Sequence, residues 1–194
     1  MAQLRTMLPN PEEVIRTDGS VTIRPFRADE AEIMYAAVRE SQADVAPWLP
    51  SLNADPTLAG VRAFIEGNAA ERATGRAYDF VIADARTDEF LGGCGLTQIN
   101  TTHRFANTYY WVRSSRAGRG VAPAAIRLLA RFGFERLGLQ RVEIVVAVGN
   151  HASLRAAEKA GARREGLLRN RLFQWGETRD AVLFALVPQD LVQF

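Results

Sequence analysis

The stretch Arg113 to Ala125, R-S-S-R-A-G-R-G-V-A-P-A-A, carries the residue types of an anion cradle. It follows an aromatic, strand-like run from Thr108 to Val112 and leads into an amphipathic run from Val121 to Arg136. A strand, a glycine-spaced basic turn and a helix start present N–H groups, and the helix dipole favours an anion there. Gly118 and Gly120 supply backbone freedom and close approach. The stretch is not a Walker A loop, because Val121 stands where G-K-[ST] would continue. It is not a dinucleotide fingerprint either, because position 123 is proline. A pyrophosphate-bearing, nucleotide-like cofactor fits it.

A second constellation is Asn150-His151-Ala152-Ser153, leaving an apolar run from Arg141 to Val148. Asn150 can donate and accept, and Ser153 lies one helical turn on, so both can face one cleft. The same spacing is an ordinary helix cap. Glu143 sits in that otherwise apolar run, where burial would raise its pKa towards a useful general base. A salt-bridged or edge-facing glutamate is the alternative. Glu89 and Asp180 are further carboxylate candidates. His103 and His151 read as solvent-facing, although His103 could also line an acceptor site. With two histidines and one cysteine, Cys94, no metal-ligand spacing exists, and no metal is expected.

These groups need elements to hold them. Val14–Arg16 and Val21–Arg24 flank an Asp-Gly turn and read as a hairpin. Asp29 is placed to cap a helix reaching about Ser41, and Asp44–Pro50 reads as a proline-broken loop or turn. A second helix is expected over Thr57–Arg72, behind Pro56. Strands follow at Ala77–Ala83, at Phe90–Ile99 and at Thr108–Val112. The glycines of the second, Gly92, Gly93 and Gly95, suggest a bulge or close backbone approach. Helix Val121–Arg136, strand Arg141–Val148, helix Asn150–Ala160 and a closing strand pair, Ala162–Leu172 with Thr178–Leu186, complete an α/β chain with a mixed sheet, not a doubly wound one. One domain spanning 1–194 is expected, with 1–13 a loose lead-in. Net charge is only +2, a weak argument for nucleic acid. Lys159 is the only lysine among the basic residues, an arginine bias that matches codon usage as well as phosphate contacts. Without a signal peptide or a long apolar run, a cytoplasmic protein away from membranes is expected.

The two constellations together resemble the GNAT acyltransferase superfamily, RimJ/RimL type. The resemblance rests on W-V-x5-G-R-G-V-A-x-x-A, then N-x-x-S-x-R-x-x-E-K-x-G-A-R-x-E-G, with V-x-I-R-P-F at Val21–Phe26, W-L-P at Trp48–Pro50 and R-D-A-V-L-F-A-L at Arg179–Leu186. It implies a GNAT fold with a mostly antiparallel, splayed central sheet flanked by helices, and acetyl transfer from acetyl-CoA to a primary amine by direct attack. It implies that Val112 and Arg113 pair with the pantetheine arm and that Gly118, Arg119, Gly120, Val121 and Ala122 cradle the pyrophosphate. Asn150 would contact the cofactor near its pantetheine, and Ser153 would serve as acid to the departing thiolate. One of Trp48 and Tyr110 is expected to reach the acceptor cleft. Two departures stand out. Ala117 occupies a usual Gln or Arg position, so Arg116 or Arg119 is expected to supply the phosphate charge. Asn107 occupies a position that often holds Glu. The acceptor implied is a protein N-terminal α-amine. A small amine such as an antibiotic, polyamine or amino acid is the alternative, and a non-catalytic acyl-CoA-binding module a third reading. A homodimer is also implied, and no residue demands it.

Overall fold

The computed structural model describes residues 16–52 and 55–191. The lead-in and the strand residues Val14 and Ile15 lie outside the described residues. In chain order the elements are β1 (Arg16–Thr17), β2 (Val21–Arg24), α1 (Ala31–Val45), α2 (Leu58–Ala73), β3 (Tyr78–Asp84), β4 (Phe90–Asn100) and β5 (Phe105–Val112). Then come α3 (Val121–Leu137), β6 (Arg141–Ala147), α4 (His151–Lys159), β7 (Arg163–Gln174) and β8 (Glu177–Leu186). The eight strands form one sheet in the order β1-β2-β3-β4-β5-β6-β8-β7. Every pairing is antiparallel except β5 with β6.

The parallel pair is the feature that shapes the site. β5 and β6 share only three rungs, Phe105 with Arg141, Ala106 with Val142 and Asn107 with Glu143. Beyond Asn107 the strands part, although β5 runs on to Val112 and β6 to Ala147. The sheet is therefore splayed at its centre.

Each strand sends alternate residues to opposite faces. On one face Phe80, Ile82, Leu96, Ala106 and Ile144 pack with the apolar stripe of α3, Ile126, Leu129 and Phe132. On the other, Val81, Ala83 and Trp111 pack with Met34 and Val38 of α1 and Val61 and Ile65 of α2. These periodicities, 2 in the strands and 3.6 in the helices, are why the chain folds as a sheet between helical layers.

Three expected boundaries differ. β5 starts at Phe105 rather than Thr108, because Phe105, Ala106 and Asn107 pair with β6. Asp29 does not cap α1: it lies in a 3-10 turn over Ala28–Glu30, and no side chain caps the helix. The Glu30 carboxylate instead folds back to accept from the Arg27 backbone N–H at 2.8 Å and from Arg24 at 2.6 Å, which draws the chain into that turn. α1 also extends past Ser41 to Val45, so Asp44 is helical rather than part of a loop. Pro47 follows just beyond, where the helix has ended.

Candidate functional site

The turn after β5 is held by α1. Arg113 donates to Glu40, the Ser114 backbone N–H donates to Ser41 Oγ at 3.0 Å, and the Ser115 N–H donates to Glu40 at 2.8 Å. The Ser114 hydroxyl donates to Asp44. Arg113's hydrogen bond, with those from Ser115, holds the Glu40 carboxyl down to about 2. None of these partners was legible beforehand, because each joins residues some seventy positions apart. The four additional residues that α1 gains beyond Ser41 are what put Asp44 in reach.

Gly118 and Gly120 have φ of 77° and 81°, and a Cβ at either would meet nothing within 4 Å. Both are open to an incoming group. Gly120 is the N-cap of α3 and no side chain caps that helix. The first-turn N–H groups of a helix have no intrahelical acceptor, and Pro123 removes one of them, leaving Val121 and Ala122 as donors. Of the arginines here, Arg116 is bound to Glu89 at 2.6 Å, whereas Arg119 is exposed.

At the mouth of the splay a hydrogen bond joins β5 to α4, the helix that follows β6. Tyr110, on β5 beyond the last shared rung, lies with its hydroxyl 2.8 Å from Ser153 Oγ and 3.3 Å from the Ser153 carbonyl. Burial pushes the Tyr110 phenol up to about 12. Asn150 caps α4, its Oδ1 accepting from the Ser153 N–H at 3.1 Å. That bond fixes where Ser153 points, so the cap and the cleft-facing pair are one arrangement. Trp48 approaches from the α1–α2 connection. Its ring lies 3.7 Å from where a Gly149 Cβ would be, and its carbonyl accepts from Gln174 Nε2 at 3.1 Å.

The opposite face holds a cavity of about 650 Å³ between the sheet, α1 and α2. Its walls are apolar, with Phe26, Met34, Val38, Leu52, Val61 and Phe64 among them. Its floor carries Asp79, Thr97, Asn107 and Tyr109. Tyr109 donates to Asp79 at 2.5 Å across β4. A Cβ at Gly95 would stand 2.6 Å from the Asp79 carboxylate and 2.7 Å from the Tyr109 ring, so glycine there is what lets the two meet. Gly93 makes the same room for the Trp111 indole. Burial raises the Asp79 carboxyl above its ordinary value, against the lowering effect of Tyr109. Asp79 was not among the sequence candidates. The signal for it was an acid between Tyr78 and the apolar run Phe80–Ala83 of the same strand.

The remaining candidates fall away from this centre or into ion pairs. Glu143 faces the same side as Asn107, its rung partner, but is paired to Arg141 Nε at 2.8 Å. Of the two readings of Glu143, the salt-bridged one holds, because Arg141 begins the same strand, and the isolated base in an apolar strand does not occur. Glu89 is taken by Arg116. Asp180 accepts from the Asn170 backbone N–H at 2.8 Å. Tyr110 turns to the α3 face and to Ser153, away from the cavity whose floor holds Tyr109. Among the described residues no cluster of three His, Cys, Asp or Glu side chains could hold a metal, and no helix is long and apolar enough to cross a membrane.

Residues 20–163 match the family model described as "Acetyltransferase (GNAT) domain". The chain belongs to the GNAT acetyltransferase family. It is an acetyl-CoA-dependent N-acetyltransferase. The Bacillus subtilis (strain 168) protein named "Putative ribosomal N-acetyltransferase YdaF" is 29% identical over 185 residues, covering 90% of this chain and 95% of its own. The solved structure of Mycobacterium smegmatis RimJ in complex with CoA-disulfide superposes with a TM-score of 0.81 at 30% identity, over 91% of this chain and 87% of that one. Spermidine N(1)-acetyltransferase of Escherichia coli (strain K12) is 28% identical over 113 residues, 54% of this chain and 61% of its own. By sequence and structure this GNAT enzyme is similar to RimJ/RimL-type ribosomal protein acetyltransferases.

Proposed function

We propose that this enzyme transfers acetyl from acetyl-CoA to the α-amine of a protein or peptide N-terminus, by direct attack across the β5–β6 splay. The observation that carries the proposal is the Tyr110–Ser153 hydrogen bond spanning the mouth of that splay. It lies on the α3 face, where α3 starts uncapped, and the apolar cavity lies on the opposite face of the sheet.

The residues fit the donor. The β5 edge facing β6 carries no strand beyond Asn107, so the backbone groups of Val112 are placed for the amides of a pantetheine arm. Those of Arg113, expected to share that task, are already used: its N–H donates to the Leu91 carbonyl at 2.8 Å and its carbonyl accepts from the Arg116 N–H at 2.9 Å. The turn Gly118–Ala122 offers N–H groups with nothing over its glycines, as a pyrophosphate needs. Arg119 adds charge from its exposed position, and Arg116 can add more only by loosening from Glu89. Asn150 holds Ser153 in place by capping α4. Either hydroxyl can donate across the 2.8 Å contact, and when Tyr110 donates to Ser153 the Ser153 proton is left to face the departing sulfur. Ser153 thus stabilises the thiolate by hydrogen bonding as the amine attacks.

The acceptor follows from the cavity. Its lining acids are Asp55 and Asp79, and Asp79 is already engaged by Tyr109. A polycation such as spermidine would find apolar walls where it needs several carboxylates. An α-amine has an ordinary pKa of about 8, against about 10.4 for lysine, so it reaches its neutral form with less help. Glu143, tied to Arg141, is placed as a remote electrostatic aid and not as the sole base. Thiol release is to be measured with acetyl-CoA and three acceptors: an unblocked peptide, the same peptide N-terminally blocked with a free lysine, and spermidine. Release is expected with the unblocked peptide above both others. Preference for spermidine would refute the acceptor assignment.

A further inference from the structure

We propose that the cavity beneath α1 and α2 is the pocket for the acceptor's first side chain, and that Asn107 Oδ1 receives a hydrogen bond from its amine end. The enzyme then prefers α-amines borne on large apolar residues such as leucine, methionine or phenylalanine. This rests on the α-amine reading above and adds the identity of the residue that carries the amine.

Asn107 stands on the last rung that β5 shares with β6, where the strands begin to part. It also lines the cavity floor. It therefore belongs both to the splay and to the pocket. Four buried side-chain polar atoms lack a hydrogen-bond partner among the described residues: Arg16 Nε, Asn68 Nδ2, Gln174 Oε1 and Asn107 Oδ1. Only the last belongs to a residue lining the cavity. Buried polar atoms without partners are rare and call for a donor. An amine or the first amide N–H of a peptide supplies one.

The rest of the floor leaves little polar demand. Tyr109 and Asp79 satisfy each other across Gly95, and the Thr97 hydroxyl is the remaining small polar group. The walls from α1, α2 and Phe26 are aliphatic and aromatic. At about 650 Å³ the cavity has room for the largest apolar side chain. A serine, alanine or aspartate would leave those walls in contact with water, whereas leucine or phenylalanine would displace it. Discrimination by an apolar pocket runs at about 10- to 200-fold per methylene-scale difference.

The test is kcat/KM for peptides identical except for a first residue of Leu, Met, Phe, Ala, Ser or Asp. The apolar three are expected to exceed the others by about 10- to 100-fold. Val61→Trp fills the cavity and is expected to abolish that preference, while acetyl-CoA affinity stays within about twofold as the check on folding. Should Val61→Trp fail to fold, Phe64→Ala widens the wall and is expected to move the preference towards phenylalanine. Asn107→Leu is expected to lower kcat/KM for all peptides about tenfold or more, with acetyl-CoA affinity unchanged, and Asn107→Asp, which keeps an acceptor oxygen, to retain most of it. Equal rates for serine and leucine peptides would overturn the pocket, as would an unaltered preference in both cavity variants. An unaltered Asn107→Leu would overturn the role of Oδ1. If acetyl-CoA binds and spermidine is acetylated while every peptide is inert, the α-amine reading itself falls, and this proposal with it.

Discussion

Ser153→Ala is expected to lower kcat by about 10- to 150-fold and to leave acetyl-CoA affinity within about twofold. The magnitude comes from what the Tyr110–Ser153 pair can and cannot do. Burial pushes the Tyr110 phenol up to about 12. A thiol has an ordinary pKa of about 8.5, so full proton transfer from this pair to the thiolate is uphill by about 3.5 units, or about 5 kcal/mol. The pair therefore acts by hydrogen bonding to developing charge. Such a bond is worth about 1.5–3 kcal/mol, which is about 10- to 150-fold in rate. Tyr110→Phe leaves the serine in place, capped by Asn150, and removes only the group that directs its proton. An ordinary hydrogen bond of about 1 kcal/mol then sets a loss of about fivefold. The assay is single-turnover thiol release at saturating acceptor between pH 6 and 9. No ionisation of Tyr110 should enter the profile in that range. A loss of a thousandfold or more in Ser153→Ala would mean that a full proton transfer depends on the pair. An unchanged rate would mean that the thiolate leaves without it.

Three further outcomes follow from the site's supports. Glu40→Gln weakens the clamp on Arg113 and Ser115, and acetyl-CoA Kd is expected to rise about 3- to 10-fold by isothermal titration. Because the Glu40 carboxyl sits at about 2 in the folded protein, its support is present above its ordinary 4.5 and is lost as pH falls from there towards 2. Acid melts of wild type and variant should converge in that window. Asp79 has the opposite sign: its carboxyl is raised above 3.8, so its contribution is full below 3.8 and is lost as pH rises through the raised value. Asp79→Asn keeps an oxygen for Tyr109, and its Tm relative to wild type is expected to be higher at pH 7 than at pH 4. Arg119→Ala is expected to raise acetyl-CoA Kd by about 3- to 10-fold and Arg116→Ala by less, since Arg116 is held by Glu89. If neither changes Kd, the backbone amides hold the phosphates alone.

The fold was readable because it rests on local periodicity. The alternation along β3–β6, the apolar stripe of α3 and the glycine-proline punctuation at Gly118, Gly120 and Pro123 are all short-range signals. The mixed sheet with its splay follows the resemblance carried by the cradle and by Asn150–Ser153, and the single parallel pairing of β5 with β6 agrees with it. What stayed hidden is long-range. Tyr109 meets Asp79 thirty residues away, and the glycines of β4 showed only that something comes close, not which rings. Asp44 reaches the cradle only because α1 continues to Val45, and helix ends are weakly written in sequence. Glu143 illustrates the converse. Its apolar neighbours suggested isolation, but a strand sends alternate residues to one face, and Arg141 lies two positions back on the face that Glu143 uses.

The most direct test of transfer across the splay is the initial-rate pattern with acetyl-CoA and an unblocked peptide varied together. Attack within a ternary complex predicts lines that intersect, with acetyl found only on the peptide's α-nitrogen by mass spectrometry. Parallel lines, or an acetylated form of the protein built up with acetyl-CoA alone, would contradict it.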